Sequence, residues 1–71
     1  MTEKALEFAA QQIKNIFKEK DSNLSAEQAE RMARRAVKSI DWDNSALMHK
    51  GLNWIANYIY SHRDVFFGTQ D

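Results

Sequence analysis

Apolar residues recur at three- and four-residue steps along most of the chain, and that period is helical. From Glu3 to Lys20 the set Leu6, Ala9, Ala10, Ile13, Ile16 and Phe17 lines one face of a first helix. Glu3 and Glu7 in its first turns and Lys18 and Lys20 in its last suit the helix dipole. Asp21, Ser22 and Asn23 then predict a turn. A second helix is expected over about Ala26 to Ile40, with Ala26, Ala29, Met32, Ala33, Ala36, Val37 and Ile40 facing inward. Ser25 and Gln28 stand at capping-box spacing, and Leu24 precedes them as a hydrophobic staple for Ala29. An alanine-rich face of this kind admits a neighbouring helix at close range.

The third segment begins at Asp43 or Asn44, both good N-caps, and continues at least to Tyr60. It places Leu47, Met48, Leu52, Trp54, Ile55, Tyr58, Ile59 and Phe66 on one broad side. That stripe is too wide for a single partner helix, so this segment is expected to be the central element. Gly51 falls within the stripe, where it costs roughly 1 kcal/mol of helix propensity relative to alanine. Close contact with the alanine face of the second helix would offset that cost. Two continuations fit beyond Tyr60. The preferred one is an uninterrupted helix, bent near Ser61 and ended by a left-handed Gly68. The other is a short fourth helix through Val65, Phe66 and Phe67, capped by Ser61 with Asp64.

The expected fold class is therefore all-α: a small three-helix bundle forming a single helical domain over residues 1–71, with a short fourth helix at the C-terminus as the variant. Short connections favour antiparallel neighbours. The sequence has no proline, no repeat and no sustained two-residue alternation.

Composition narrows the classes. A chain of 71 residues without cysteine has no disulfide to reinforce it, so its stability must come from close helix packing or self-association. Ten basic and ten acidic residues give zero formal net charge. That balance argues against a dedicated nucleic-acid binder, whose affinity comes largely from neutralised phosphates. It also leaves little long-range repulsion between copies. No charged leader precedes an apolar run, and no apolar run approaches the ~20 residues that span a bilayer. A soluble, cytoplasmic chain with no membrane partner is expected.

Candidate chemistry is sparse. Asp41-Trp42-Asp43-Asn44-Ser45 is similar to the opening of a calcium loop, but the pattern then needs Gly where Ala46 stands and a bidentate Glu where Leu52 stands. It reads instead as a helix-capping linker with Trp42 tucked against the core. His49 and His62 lie thirteen residues apart, which is no local ligand spacing. His62 and Asp64 flank Arg63, but near neighbours on a helix point apart. No catalytic, cofactor or metal site and no small-molecule substrate are expected, and the chain reads as non-enzymatic.

Two polar surfaces and one aromatic set remain. Arg31, Arg34, Arg35 and Lys38 share an outward face of the second helix. Glu27 and Glu30, four residues before Arg31 and Arg34, make this a self-paired solvated face; contact with an anionic partner is the alternative. His49, Lys50, Asn53, Asn57 and Tyr60 would face DNA in a helix-turn-helix reading, with Asn53 towards adenine. The acidic connection through Asp41 and Asp43 opposes that reading. Phe8 lies opposite the apolar face of the first helix, among Lys4, Gln11, Gln12 and Asn15. Tyr60 is off the main stripe, and the adjacent Phe66 and Phe67 cannot both turn fully inward. Aromatic residues are enriched at protein interfaces. The leading expectation is a protein–protein interaction module, a small regulatory or accessory protein. It would form a homodimer or dock on a larger partner through Phe8, Tyr60, Phe66 and Phe67. A small helix-turn-helix-like DNA-binding regulator is the alternative.

Overall fold

The computed structural model describes residues 2–68 as five α-helices, with no strand among them. They are α1 (Glu3–Lys20), α2 (Ala26–Ser39), α3 (Ser45–Lys50), α4 (Leu52–Ser61) and α5 (Arg63–Phe67). The all-α small bundle holds, and so do the bounds of the first helix; the second ends at Ser39, one residue short of the expected Ile40. Their ends follow local chemistry. The Thr2 hydroxyl accepts the Ala5 N–H at 3.1 Å and starts α1. The Asp21 carboxylate accepts the Asn23 N–H at 3.0 Å and shapes the turn after it. At α2 both arms of the capping box form, with Gln28 N–H to the Ser25 hydroxyl at 3.1 Å and Ser25 N–H to the Gln28 amide oxygen at 3.0 Å. Asn44 caps α3 by accepting the Leu47 N–H at 3.0 Å.

The expected centre is wrong. α1, not the third segment, lies between the others and packs along both α2 and α4. Its Ile13 and Phe17 are the largest fully buried side chains. The alanine face of α2 (Ala29, Ala33 and Ala36) is buried against α1, while Ala26, expected inside, is exposed. Glu7 pairs with Arg34 and Lys14 with Glu30, so α1 and α2 run antiparallel. Leu52 and Ile55 sit beside Ala5 and Ala9, whereas Tyr60 reaches Phe17 and Asp21, so α4 runs parallel to α1.

The reason is Gly51. The third segment is not one helix but two, broken where Gly51 adopts φ +89° and ψ 157°. That combination is essentially closed to side-chain-bearing L residues. The Gly51 N–H ends α3 by donating to the Met48 carbonyl at 3.2 Å, and its own carbonyl accepts the Ile55 N–H at 3.1 Å to begin α4. A Cβ added there would meet no atom within 4 Å. Gly51 is therefore required by the backbone, and not by the close approach to α2 that the sequence suggested. A straight extension of α4 would carry Ser45–Lys50 past the N-terminal end of α1; the break instead leaves Leu47 and Met48 half-buried against the core.

The preferred continuous C-terminal helix is also corrected, in favour of the short-helix variant. His62 (φ −112°, ψ 31°) separates α4 from α5, and its N–H bonds to the Tyr58 and Ile59 carbonyls at 3.1 and 3.2 Å. Ser61 belongs to α4, and the residue preceding α5 is His62, which makes no side-chain cap bond. Gly68 ends α5 at φ +77°, as expected. The turn at His62 swings Phe67 back onto the Phe17 ring, with centroids 6.3 Å apart, and so closes one end of the core.

Candidate functional site

Breaking the third segment also splits its apolar stripe. Ile55, Ala56 and Ile59 are buried, whereas Trp54 and Tyr58 are 43% and 46% exposed. What remains uncovered at the other end of α4 is a groove of about 450 Å³ lined by Lys4, Ala5, Phe8, Ala9, Trp42, Met48, Leu52 and Ile55. Lys4 is its single charged lining residue. Phe8 stands at its edge, 66% exposed.

Each wall has a local cause. Ala5 and Ala9 carry almost no side chain, so the flank of α1 beside Phe8 is hollow. Met48 and Leu52 come together because Gly51 turns the chain between them. Trp42 is held by its indole N–H, which donates to the Val37 carbonyl at 3.1 Å at the end of α2. The linker below it is an Asx turn, in which the Asp41 carboxylate accepts the Asp43 N–H at 3.1 Å. The Asp41–Ser45 stretch is thus a capping linker that also supplies one aromatic wall.

The remaining aromatic candidates lie elsewhere. Phe67, expected at an interface, is only 5% exposed and belongs to the core. Phe66 is half-buried at the far end of the bundle and meets Tyr58 edge-on, 6.4 Å between centroids. Tyr60 is half-buried too: it packs on Phe17 at 5.7 Å, and its hydroxyl donates to the Asp21 carboxylate at 3.1 Å. Burial, and then that hydrogen bond, raise the Tyr60 hydroxyl above its ordinary pKa. Tyr60 ties α4 to the end of α1 and presents little free ring. The four expected interface residues do not form one surface, and Phe8 alone of them adjoins the groove.

Reading Trp54 and Tyr58 as core missed an exposed aromatic ladder. Lys50, Trp54, Tyr58 and His62 follow one another at a constant step of four along one side of the third segment. Lys50 Nζ lies 4.8 Å from the Trp54 ring centre, and Trp54 stacks on Tyr58 at 5.4 Å with 15° between planes. Tyr58 stacks on His62 at 4.3 Å, and the His62 Nδ1–H donates to the Tyr58 carbonyl at 2.9 Å. The constant step was the readable signal. These ring faces cover one another, which leaves mainly their edges to solvent.

The basic row is partly engaged within the fold. Arg34 makes a bidentate pair with Glu7, at 2.8 and 3.2 Å, and a further contact with Glu30 at 3.4 Å. Lys14 joins Glu30 at 3.3 Å, so a chain of alternating charge crosses from α1 to α2. The hydrogen bond from Arg34, and then its charge, hold the Glu7 carboxyl below the usual range. Lys14 foremost, with Arg34, does the same for Glu30. Arg31, Arg35 and Lys38 are exposed on the same helix. On the presumed DNA-facing side, the Asn57 amide donates to the Asn53 carbonyl at 2.8 Å and Lys50 is drawn over Trp54. Among the described residues, no three His, Asp or Glu side chains converge as ligands would, and no helix is long and apolar enough to cross a membrane.

Comparison of the chain with protein-family models, with curated proteins and with solved structures finds no match.

Proposed function

We propose that this chain is a non-enzymatic protein–protein interaction module, a small regulatory or accessory protein that binds through the groove beside Phe8. One observation carries the reading: a large aromatic ring left mostly in water directly adjoins an apolar hollow of about 450 Å³. A single exposed apolar residue is ordinary. A ring next to a hollow walled by Trp42, Met48 and Leu52 resembles an anchor-and-pocket surface, the arrangement that concentrates binding energy. Its walls are helical except for Trp42, which its indole bond to Val37 holds in place, so little ordering cost falls on binding. An amphipathic helix with apolar residues at i, i+3, i+4 and i+7 has the shape for such a groove.

The DNA-binding alternative draws less support. Arg34 is committed to two carboxylates, the Asn57 amide is bonded within the third segment and Lys50 lies over the Trp54 ring.

The test is a selection of helical peptides from a random library on the immobilised full chain, counter-screened on Phe8→Ala. Recovered peptides should bind the wild-type chain at least about 30-fold more tightly, the loss of ~2 kcal/mol or more expected for an anchor aromatic. Their binding should shift the NMR methyl signals of Met48 and Leu52. Binders that ignore both Phe8→Ala and the groove methyls would refute the placement of the site.

A further inference from the structure

We infer that the occupant of the groove is a second copy of this chain, in a two-fold pair with antiparallel α1 helices and each Phe8 seated in the other copy's hollow. The inference rests on the docking role proposed above and adds the identity of the partner. Three features support it.

The first is shape. Ring and hollow adjoin on the same helix, Phe8 beside Ala5 and Ala9. A two-fold axis passing next to Phe8 therefore makes one contact twice, ring into hollow and hollow over ring, and the assembly closes at two copies. A cavity of ~150 Å³ holds a benzene molecule. The groove of about 450 Å³ is open to solvent on one side and has room for a phenyl ring.

The second is charge. The chain is formally neutral, so copies meet without net repulsion. Around Phe8 the outer ridge of α1 carries Lys4, Gln11, Gln12 and Asn15, with Lys4 the one charge. Antiparallel pairing about Phe8 sets Lys4 of one copy against Gln12 of the other. The two Lys4 then lie eight residues apart along the axis, about 12 Å at 1.5 Å per residue. That exceeds the ~8 Å Debye length at physiological salt, so the two Lys4 charges are largely screened from each other.

The third is size. The low end of stable interfaces is ~600 Å² per partner, about an eighth of this chain's surface of 5029 Å². A pair centred on Phe8 and the groove has to bury about that share of the surface to hold, which is the small end of the range. The pair is accordingly weak and reversible, and it forms at high concentration.

The experiment is sedimentation equilibrium of the full chain from about 10 µM to 1 mM, for wild type, Phe8→Ala and the groove-wall variant Met48→Gln, each checked for helix content by circular dichroism. It is joined by an isotope-filtered NOE measurement on a mixture of labelled and unlabelled wild-type copies. The expected result is a concentration-dependent dimer and NOEs between the Phe8 ring of one copy and the Met48 methyl of the other. Phe8→Ala should weaken the dimer by at least about 30-fold. A chain that stays monomeric to 1 mM overturns the inference; if helical peptides still occupy the groove, the docking role survives and the partner is another protein. A dimer that is indifferent to Phe8→Ala and lacks the Phe8–Met48 NOEs overturns it as well.

Discussion

Replacing Gly51 with alanine separates conformational from packing effects with unusual clarity. A Cβ at this position touches nothing within 4 Å, so no steric clash with neighbours enters. What remains is the backbone, held at φ +89° and ψ 157°. An L residue forced into that region loses about 1–3 kcal/mol. The lower entropy of the unfolded alanine chain returns roughly 0.4–1 kcal/mol. The net expectation is a destabilisation of about 1–2 kcal/mol, against a total of about 4–10 kcal/mol for a chain of this length. In thermal unfolding followed by circular dichroism this is a fall in Tm of about 5–15 °C. The chain has one escape: to straighten α3 and α4 into a continuous helix and regain ~1 kcal/mol of propensity. That route removes Leu47 and Met48 from their half-buried positions, so helical signal would rise while the groove methyls shift. A chain synthesised with D-alanine at 51 is the control, because its mirrored backbone (φ −89°, ψ −157°) lies at the border of the extended basin, and it should lose less stability than the L-alanine variant. An L-alanine variant with unchanged Tm, unchanged helical signal and an unchanged groove would refute the assignment of Gly51 as a backbone requirement.

Other outcomes follow from the core and its polar ties. Phe17→Ala should lose about 3–5 kcal/mol, since the ring is fully buried and contacts Tyr60 and Phe67, and urea unfolding should show a chain at or near its stability limit. Glu7 and Glu30 have lowered pKa values, so their contribution is present above the ordinary carboxylate range and is lost as pH falls through their folded values; a Glu7→Gln, Glu30→Gln double variant should show a shallower fall in Tm on acidification than wild type. The Tyr60 hydroxyl has a raised pKa, so its contribution is complete below about pH 10 and is lost as pH climbs through the folded value. Tyr60→Phe should remove that part of the alkaline decline in Tm while also losing the bond to Asp21.

The parts of the fold written in local pattern were legible. Ser25 with Gln28, Asn44, and the alternation of polar and apolar positions in α1 and α2 each act within a few residues, and each formed as expected but for the exposed Ala26. The exposure of Phe8 was legible for the same reason, because it lies opposite a single well-defined face. The third segment was not. Helical periodicity continues across Gly51 and His62, and a hydrophobic pattern measures the angle around an axis without revealing whether that axis is straight. Taking it as straight placed Trp54 and Tyr58 in the core, gave the centre to the wrong helix and left Phe67 outside. Breaking it at two residues corrects these errors together: α3 leaves the line of α4 at Gly51, Phe67 turns in on Phe17, and the two large rings move to the surface.

The same break links fold to proposed function. The groove needs Met48 and Leu52 on adjacent walls beside the small side chains of α1, and the turn at Gly51 sets both walls. In a continuous helix Met48 would lie beyond the end of α1, and Phe8 would face open solvent with no hollow at its side. Propensity alone favours alanine at 51 by about 1 kcal/mol in that straight form. A glycine there therefore weakens the simplest helix the pattern could make and leaves the broken one, with its unfilled hollow. If the hollow is the binding surface, the L-alanine variant that escapes by straightening should lose dimer and peptide affinity even though Phe8 is untouched. That coupling, measured in the same sedimentation series, distinguishes a groove built for an occupant from an exposed ring with no role.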